Sequence, residues 1–257
     1  MTMTDQAAFL DLEGLPAVEL LADLKEVILH AYHTTPRHMQ VEIGPSEYGQ
    51  ECARKLAFQL MQAPGVPKGD PLPSIVGTAT HTWLQAAIEK WNAHIGRVRY
   101  IPEARVTAHP GPGGTGSCDV FDFDTGTVID WKLPGTTRFS YYKRKGPSTQ
   151  YRVQAHTYGR GYANLGFDVK RVAICFLPRG GMLSNAHLWS EPYDPQIPVT
   201  AERRMNSIVE ICDELRLDQH PDRFRMIAPT PGDDCTFCPW FHPNPTTYNQ
   251  CEGNAKS

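Results

Sequence analysis

The chain has 257 residues, of which 40% are hydrophobic and 21% charged, and its formal net charge is −3. This composition is typical of a globular protein with one large domain or two small ones, and the charge gives no sign by itself of a nucleic-acid binder. No apolar run approaches the roughly 18 residues that cross a bilayer, and the N-terminus lacks a signal-peptide pattern. We therefore expect no membrane contact and a cytoplasmic location, where cysteines serve as buried thiols or metal ligands rather than disulfides.

Three helices are predicted in the first part of the chain. An apolar stripe over residues 17–32 indicates an amphipathic helix. A second helix is expected over residues 46–62, after a proline and before Pro-Gly, and it carries Cys52. A third is expected over residues 75–94 and carries His81.

Strand signals then follow in series. We expect strands at 100–108, 118–132 (a hairpin), 171–177 and 184–189, and helices at 149–164 and 201–217. This order predicts an α/β fold with a central mixed β-sheet flanked by helices. We divide the chain into an N-terminal helical region (1–73), a core (74–219) and a cysteine-containing tail (220–257) that packs on the N-terminal region.

The hairpin, Gly116 to Lys132, carries the most suggestive charges. Asp124-Thr125-Gly126 has the composition of a tight turn, because glycine accepts a positive φ. The hairpin would bring Asp119 towards Asp130, and Asp130 shares a face with Lys132 because side chains two apart on a strand point the same way. Taken alone, the same charges would also suit a hairpin that faces water.

Two further residues complete a candidate metal site. Glu103 lies on the strand before the hairpin and His81 on the helix before that strand. If the sheet is assembled in chain order, His81, Glu103, Asp119 and Asp130 converge beside Lys132. Carboxylate oxygens favour Mg²⁺ or Mn²⁺ over Zn²⁺, and an imidazole suits Mn²⁺ somewhat better.

The segment after the hairpin is locally basic. Between Trp131 and Arg171 there are nine lysines and arginines and one acidic residue, Asp168. Such a segment beside paired carboxylates suits an anionic polymer whose phosphates need positioning. Tyrosines 141, 142 and 151 would stack on bases or serve ordinary packing.

The cysteines form a second constellation. Cys235 and Cys238 make a C-x-x-C pair, Cys251 follows, and Cys52 lies far upstream. C-x-x-C alone is compatible with a redox pair or with half of a zinc site, but no βαβ context supports a thioredoxin-like role. The other three cysteines lie in apolar patterns and are expected to be buried thiols.

Together these motifs resemble the PD-(D/E)XK nucleases, specifically the RecB-like exonuclease branch, over about residues 46–251. The resemblance implies a restriction-endonuclease-like core in which Glu103, Asp119, Asp130 and Lys132 are catalytic. It also implies that the Q-x-x-x-Y element, Gln154 to Tyr158, lies near the nucleic acid. The family's proline before the first aspartate is replaced by cysteine here. The predicted DNA contacts are Gln154, Tyr158, Lys143, Arg144, Lys145 and Arg152.

The same branch includes members with a four-cysteine [4Fe–4S] cluster, among them AddB-type subunits and CRISPR-adaptation Cas nucleases. The resemblance implies that Cys52, Cys235, Cys238 and Cys251 hold such a cluster, although the gap between the last two is longer than in the family. Structural zinc and free thiols are the alternatives. The cluster would fasten the proline-rich tail to the second helix.

The sequence thus predicts a divalent-metal-dependent DNA exonuclease that acts on single strands or ends and carries a structural cluster. The alternatives are an endonuclease on the same core, a non-catalytic DNA-binding or assembly protein, and an iron–sulfur redox or sensor protein. The resemblance leaves a homo-oligomer and partners in recombination or CRISPR adaptation open.

Overall fold

The computed structural model describes residues 15–34, 43–230 and 235–253. Its helices are α1 (Leu15–Thr34), α2 (Pro45–Tyr48), α3 (Ala53–Leu60), α4 (Leu72–His94), α5 (Thr136–Lys145), α6 (Thr149–Asn164) and α7 (Gln196–Glu214). The described residues fall into two compact units, one made of α1 and residues 71–75 and the other of the remainder. Within the described residues, no helix is both long and apolar enough to cross a membrane.

A five-stranded mixed sheet organises the second unit. Its strands are β1 (Tyr100–Thr107), β2 (Thr115–Asp122), β3 (Thr127–Lys132), β4 (Arg171–Phe176) and β5 (His187–Pro192). They lie side by side in chain order; β3 and β4 are parallel, and the other neighbouring pairs are antiparallel. A parallel pair needs a crossover connection, and α5 with α6 provides it. The predicted α/β fold with a central mixed sheet is confirmed.

Helix α6 lies at the centre of the core. Its residues from Val153 to Gly159 are all buried, and it packs against α2, α7 and the first four strands. Between α6 and the sheet, the rings of Tyr162 and Phe121 stack with centroids 4.4 Å apart. Burial of such aromatic side chains contributes about 1.5–3 kcal/mol each, so this layer fixes α6 against the strands that carry the candidate site.

A second apolar cluster lies between α3, α7 and the residues that follow α7. Phe58 of α3 packs on Phe224 and Trp240, with ring centroids 4.5 Å and 5.3 Å away. The indole N–H of Trp240 donates to the carbonyl of Ala63 at 3.0 Å. After α7, the helical elements within the described residues are two short 3₁₀ turns (Pro221–Met226 and Cys235–Phe237). Side-chain contacts of this kind hold the segment in place, together with single main-chain hydrogen bonds such as that from Val66 N–H to the carbonyl of Pro239.

The structure corrects the second predicted helix. The segment 46–62 forms two helices, α2 and α3, with a break at Gly49 to Cys52. Gly49 passes so close to α6 that a Cβ on it would lie 2.6 Å from the Cα of Gln150. The chain leaves the helix at this crossing, and Cys52 then starts α3 in an extended conformation.

Helix α5 was not predicted. Its sequence, TTRFSYYKRK, has only two buried side chains, Phe139 and Tyr142. Two buried rings do not make a helical stripe, Tyr141 is exposed, and the remaining side chains are polar or charged. The helix exists because both buried rings pack on the sheet, where Tyr142 stacks on Phe176 with centroids 4.9 Å apart.

Candidate active site

Three carboxylates lie in a row across the first three strands. Glu103 lies across from Asp119, because the residues on either side of Glu103 pair with those on either side of Asp119. Asp119 directly precedes Val120 and Asp130 directly follows Ile129, and Val120 and Ile129 are the last paired residues at this end of β2 and β3. The next strand continues the line with Ile174. Cross-strand neighbours share one face of a sheet. We call Glu103, Asp119 and Asp130 the carboxylate row.

The backbone of Glu103 is unusual. Its φ is +48°, within the left-handed region, although it lies inside β1. Its neighbours Pro102 and Ala104 pair with β2 in an unbroken register, so no residue is inserted. A non-glycine residue in this conformation costs about 1–2 kcal/mol. Conformations of this kind occur at functional sites, where the surrounding structure maintains them.

Helix α4 adds His81 to the row. Its Nδ1 lies 3.3 Å from Oδ1 of Asp119 and 4.0 Å from Oε1 of Glu103. One ligand atom from each of these three residues falls within 4.8 Å of the others. The hydrogen bond to Asp119 raises the pKa of His81 against the opposing effect of burial, and the charges of Asp119 and Asp130 add to it. The negative field that raises this pKa also attracts a metal cation.

The second oxygen of Asp119 is fixed by the backbone of the hairpin. Oδ2 accepts a hydrogen bond from the N–H of Trp131 at 2.7 Å. This bond fixes the plane of the carboxylate, so that Oδ1 is the oxygen that faces His81. A main-chain donor is a rigid support for a ligand because it moves only with the sheet.

Asp130 is the most deeply buried member of the row, with 1% of its side chain exposed. The ammonium of Lys132 lies 2.7 Å from its Oδ2, as an ion pair. Neither oxygen has a directed hydrogen-bond donor among the described residues. Burial raises the pKa of Asp130 to about 6, with a further rise from Asp119 and an opposing effect of Lys132. Burial lowers the pKa of Lys132, but the charges of Asp130 and Asp119 outweigh it, so its net pKa is raised.

The donor set fits a divalent cation. Carboxylate oxygens with one imidazole nitrogen are ligands that Mg²⁺ and Mn²⁺ accept. Of the four predicted ligands, the structure groups His81, Glu103 and Asp119. Asp130 lies outside that group and faces Lys132.

The Q-x-x-x-Y element lies behind the lysine. Lys132 Nζ donates to Oε1 of Gln154 at 3.1 Å, and Nε2 of Gln154 donates to the hydroxyl of Tyr158 at 3.3 Å. Both α6 side chains are buried. They therefore position Lys132, and their direct contact with nucleic acid stays a prediction.

The basic residues divide into two kinds. Lys143, Arg144 and Lys145 form the exposed last turn of α5. Arg152 is instead paired with Glu191, whose carboxylate also lies 2.7 Å from Nε2 of His156. Glu191 therefore partly neutralises the charge of Arg152, which leaves less of that charge for a phosphate than the three exposed residues of α5 have.

The four cysteines predicted to hold a cluster lie on elements that pack together. Cys52 immediately precedes α3, and Cys235 and Cys238 lie at the 3₁₀ turn of the tail. Cys251 is buried, and its sulfur accepts hydrogen bonds from Arg54 at 3.2 Å and from the N–H of Gly253 at 3.4 Å. A Cβ on Gly253 would lie 3.3 Å from the sulfur of Cys235, so two of the four sulfurs flank this glycine.

The arrangement differs from a closed zinc site. Within the described residues, no three cysteine sulfurs lie within 4.8 Å of one another. Four sulfurs on one zinc ion, with Zn–S bonds of about 2.3 Å, would lie about 3.8 Å apart. None of the seven cysteines forms a disulfide.

Comparisons with known proteins concern the fold. No protein-family model matches the chain, and no curated protein matches it by sequence. A phage-related exonuclease from Haemophilus somnus matches with a TM-score of 0.50 and 12% identity, over 69% of this chain and 96% of that one. The alkaline exonuclease LHK-Exo from Laribacter hongkongensis matches with a TM-score of 0.40 and 14% identity, over 57% and 73% of the two chains. Its complex with dAMP matches with a TM-score of 0.47 and 14% identity, over 73% and 95%.

At these identities the likeness to the Haemophilus somnus protein shows a shared fold. In this chain, the carboxylate row lies on the sheet of that fold. Membership of the iron–sulfur branch stays a prediction.

Proposed function

We propose that the chain is a divalent-metal-dependent DNA exonuclease that acts on single strands or ends. The carboxylate row, with His81 and Lys132 at the same part of the sheet, is the observation that carries the proposal. The fold shared with a phage-related exonuclease supports it.

The roles follow from the contacts. His81, Glu103 and Asp119 would hold the cation, which supplies a nucleophilic water at neutral pH and offsets charge on the phosphodiester. Lys132 remains a cation because Asp130 lies beside it, and its ammonium would stabilise negative charge as the phosphate ester is broken. Gln154 keeps the lysine in place. The exposed Lys143, Arg144 and Lys145 would hold phosphates of the bound strand.

The cysteines form a second part of the proposal. Cys52, Cys235, Cys238 and Cys251 would bind a [4Fe–4S] cluster that fastens the tail to α3. The two sulfurs around Gly253 and the donors to Cys251 support this role, since hydrogen bonds to cysteine sulfur are common around such clusters. Iron, sulfide and zinc analysis of anaerobically purified protein distinguishes the cluster from structural zinc. Cys238→Ser should abolish the iron content. Wild-type protein without iron would contradict the cluster.

The enzymatic proposal is tested with linear and circular single-stranded DNA. With Mn²⁺, the wild type should release nucleotides from the linear strand and leave the circle intact. Calorimetric titration with Mn²⁺ should show one site that weakens in Asp119→Asn. Linear DNA that stays intact with every divalent metal would exclude the nuclease, and cutting of circles would assign an endonuclease instead.

A further inference from the structure

A large groove lies beside the candidate active site. Its volume is about 950 Å³, at the upper end of the roughly 300–1,000 Å³ typical of ligand sites. Its walls come from α5, the start of α6, the break between α2 and α3, and the Cys235–Phe237 turn of the tail. The groove is therefore bounded on one side by Leu133, which follows Lys132, and on another by Phe237, which lies between Cys235 and Cys238.

Two aromatic side chains line this groove while remaining open to solvent. Phe237 lies between the two cysteines of the C-x-x-C pair and is 64% exposed, and Tyr141 of α5 is 49% exposed. An aromatic ring in the core is covered by its neighbours. An exposed ring in a groove keeps an apolar face that a ligand can cover. A flat aromatic face can take a nucleic-acid base of any sequence.

The charged groups of the groove favour an anion. They are Arg138, Arg179 and a single carboxylate, Glu51. Arg179 donates through Nη2 to the carbonyl of Leu133 at 2.9 Å, which holds its guanidinium at the groove wall. Aromatic faces interleaved with guanidinium groups are the combination that binds single-stranded nucleic acid.

Two residues that line the groove lie next to Lys132. Leu133, which lines it, directly follows Lys132 in the chain. Tyr151 also lines it, and the ammonium of Lys132 lies 4.8 Å from the centre of the Tyr151 ring. A strand in the groove would therefore reach the carboxylate row past Tyr151.

We infer that this groove binds a single-stranded segment of the substrate and that Phe237, presented by the C-x-x-C turn, stacks on one of its bases. The inference rests on the proposed function for the identity of the polymer. It gives the cysteine tail a role in substrate binding in addition to structure. Only unpaired bases have free faces for stacking, so the groove selects single strands over duplexes.

The test measures binding separately from cleavage. Fluorescence anisotropy with a fluorescein-labelled oligothymidine, in EDTA, compares the wild type with Phe237→Ala and Phe123→Ala. Phe123 is 60% exposed and lies outside the groove, so it is a matched control. We expect Phe237→Ala to weaken binding about tenfold, the effect of losing one stacked base, and Phe123→Ala to leave it unchanged. Arg138→Gln should lower the slope of log affinity against log salt by about 0.7.

The outcomes separate this inference from the proposed function. If both Phe237→Ala and Arg138→Gln bind with wild-type affinity, the groove is not the binding site, even if Mn²⁺-dependent cleavage is present. Absence of any binding by the wild type would overturn it as well. If binding depends on Phe237 but the protein cuts no DNA, the groove is a binding site for single strands and the proposed nuclease activity is wrong. If Phe237→Ala fails to fold, the salt dependence of Arg138→Gln decides.

Discussion

The carboxylate row and the cysteine tail are held in place by different forces. Glu103, Asp119 and Asp130 lie on strands that are hydrogen-bonded to each other, so their spacing follows from the sheet itself. The tail is held by its part of an apolar cluster, by single main-chain hydrogen bonds such as that from Val66 N–H to the carbonyl of Pro239, and by long side chains from α3 and its surroundings. Arg54 alone donates to the carbonyls of Ile227 and Arg225 and to the sulfur of Cys251.

This difference matters for function. A chemical site that must hold its ligands within a fraction of an ångström benefits from a ladder that moves as one body. The tail has no such ladder, so we expect it to open at a lower free energy than the sheet. A ligand bound to its cysteines can then contribute much of the stability of the tail. The following changes test whether the two regions are separable.

The largest effect is expected at Asp130. Asp130→Asn removes the anion that faces Lys132 while keeping the shape of the side chain. We expect nucleotide release from linear single-stranded DNA to fall by at least about 100-fold, because the charge arrangement around the reacting phosphate is lost. Circular dichroism shows whether the fold is retained. Activity close to the wild type would exclude Asp130 from the chemistry.

Glu103 should separate activity from stability. Glu103→Gly removes a predicted ligand but relieves the positive φ, so we expect activity to fall about 100-fold while the free energy of unfolding rises by about 1 kcal/mol. Urea denaturation and nucleotide release measure the two effects.

Gln62 is the matched control for this change, because its φ of +51° is equally unusual and it lies outside the site. Gln62→Gly should give the same gain in stability with activity unchanged. If activity survives in Glu103→Gly, the carboxylate of Glu103 is not required for the reaction.

Arg54 tests the tail. Arg54→Met keeps the length of the side chain but leaves the carbonyls of Arg225 and Ile227 without this donor. Buried acceptors without a partner cost about 1–3 kcal/mol each, so we expect a loss of about 2 kcal/mol in urea denaturation. The exposed ion pair of Arg97 with Asp124 serves for comparison, since Arg97→Gln should change stability little. Equal effects of the two changes would mean that Arg54 does not anchor the tail.

The smallest effect concerns Asp122, which shares β2 with Asp119 but lies outside the row. Burial acts to raise its pKa, yet hydrogen bonds from Arg99 and Thr125 outweigh this and hold the pKa below its usual range. Its contribution to stability is therefore present above the unfolded-state pKa of about 3.9 and is lost as the pH falls through the lower folded-state value.

Asp122→Asn should accordingly lower Tm at neutral pH and converge with the wild type at acidic pH, with nuclease activity unchanged throughout. Thermal unfolding between neutral and acidic pH measures the convergence. A difference in Tm that does not depend on pH would contradict the ionic origin.

The sequence was sufficient for the features that depend on local patterns. The turn at Gly126, which has a φ of +63°, joins β2 to β3 in a register that places Asp119 and Asp130 at the same end of their pairing. The order of the strands along the chain is also their order in the sheet, which brings Glu103 next to Asp119.

Other features depend on residues that are distant in sequence. The break at Gly49 follows from its contact with Gln150, about a hundred positions later. The positive φ of Glu103 has no sequence signal, because glutamate ordinarily avoids this conformation. The burial of Gln154 and Tyr158 behind Lys132 follows from how α6 crosses the sheet, which helical periodicity alone does not specify.

The line of residues across the sheet also sets a direction of solvent access. Side-chain exposure falls from 32% at Glu103 to 11% at Asp119 and 1% at Asp130, and the next strand presents the apolar Ile174. Water is therefore plentiful at one end of the line and excluded at the other. Ions would enter and exchange at the β1 end, whereas electrostatic forces are strongest at the β3 end, where the lysine lies. The exposed and the buried ends of the site therefore lie on different strands, β1 and β3.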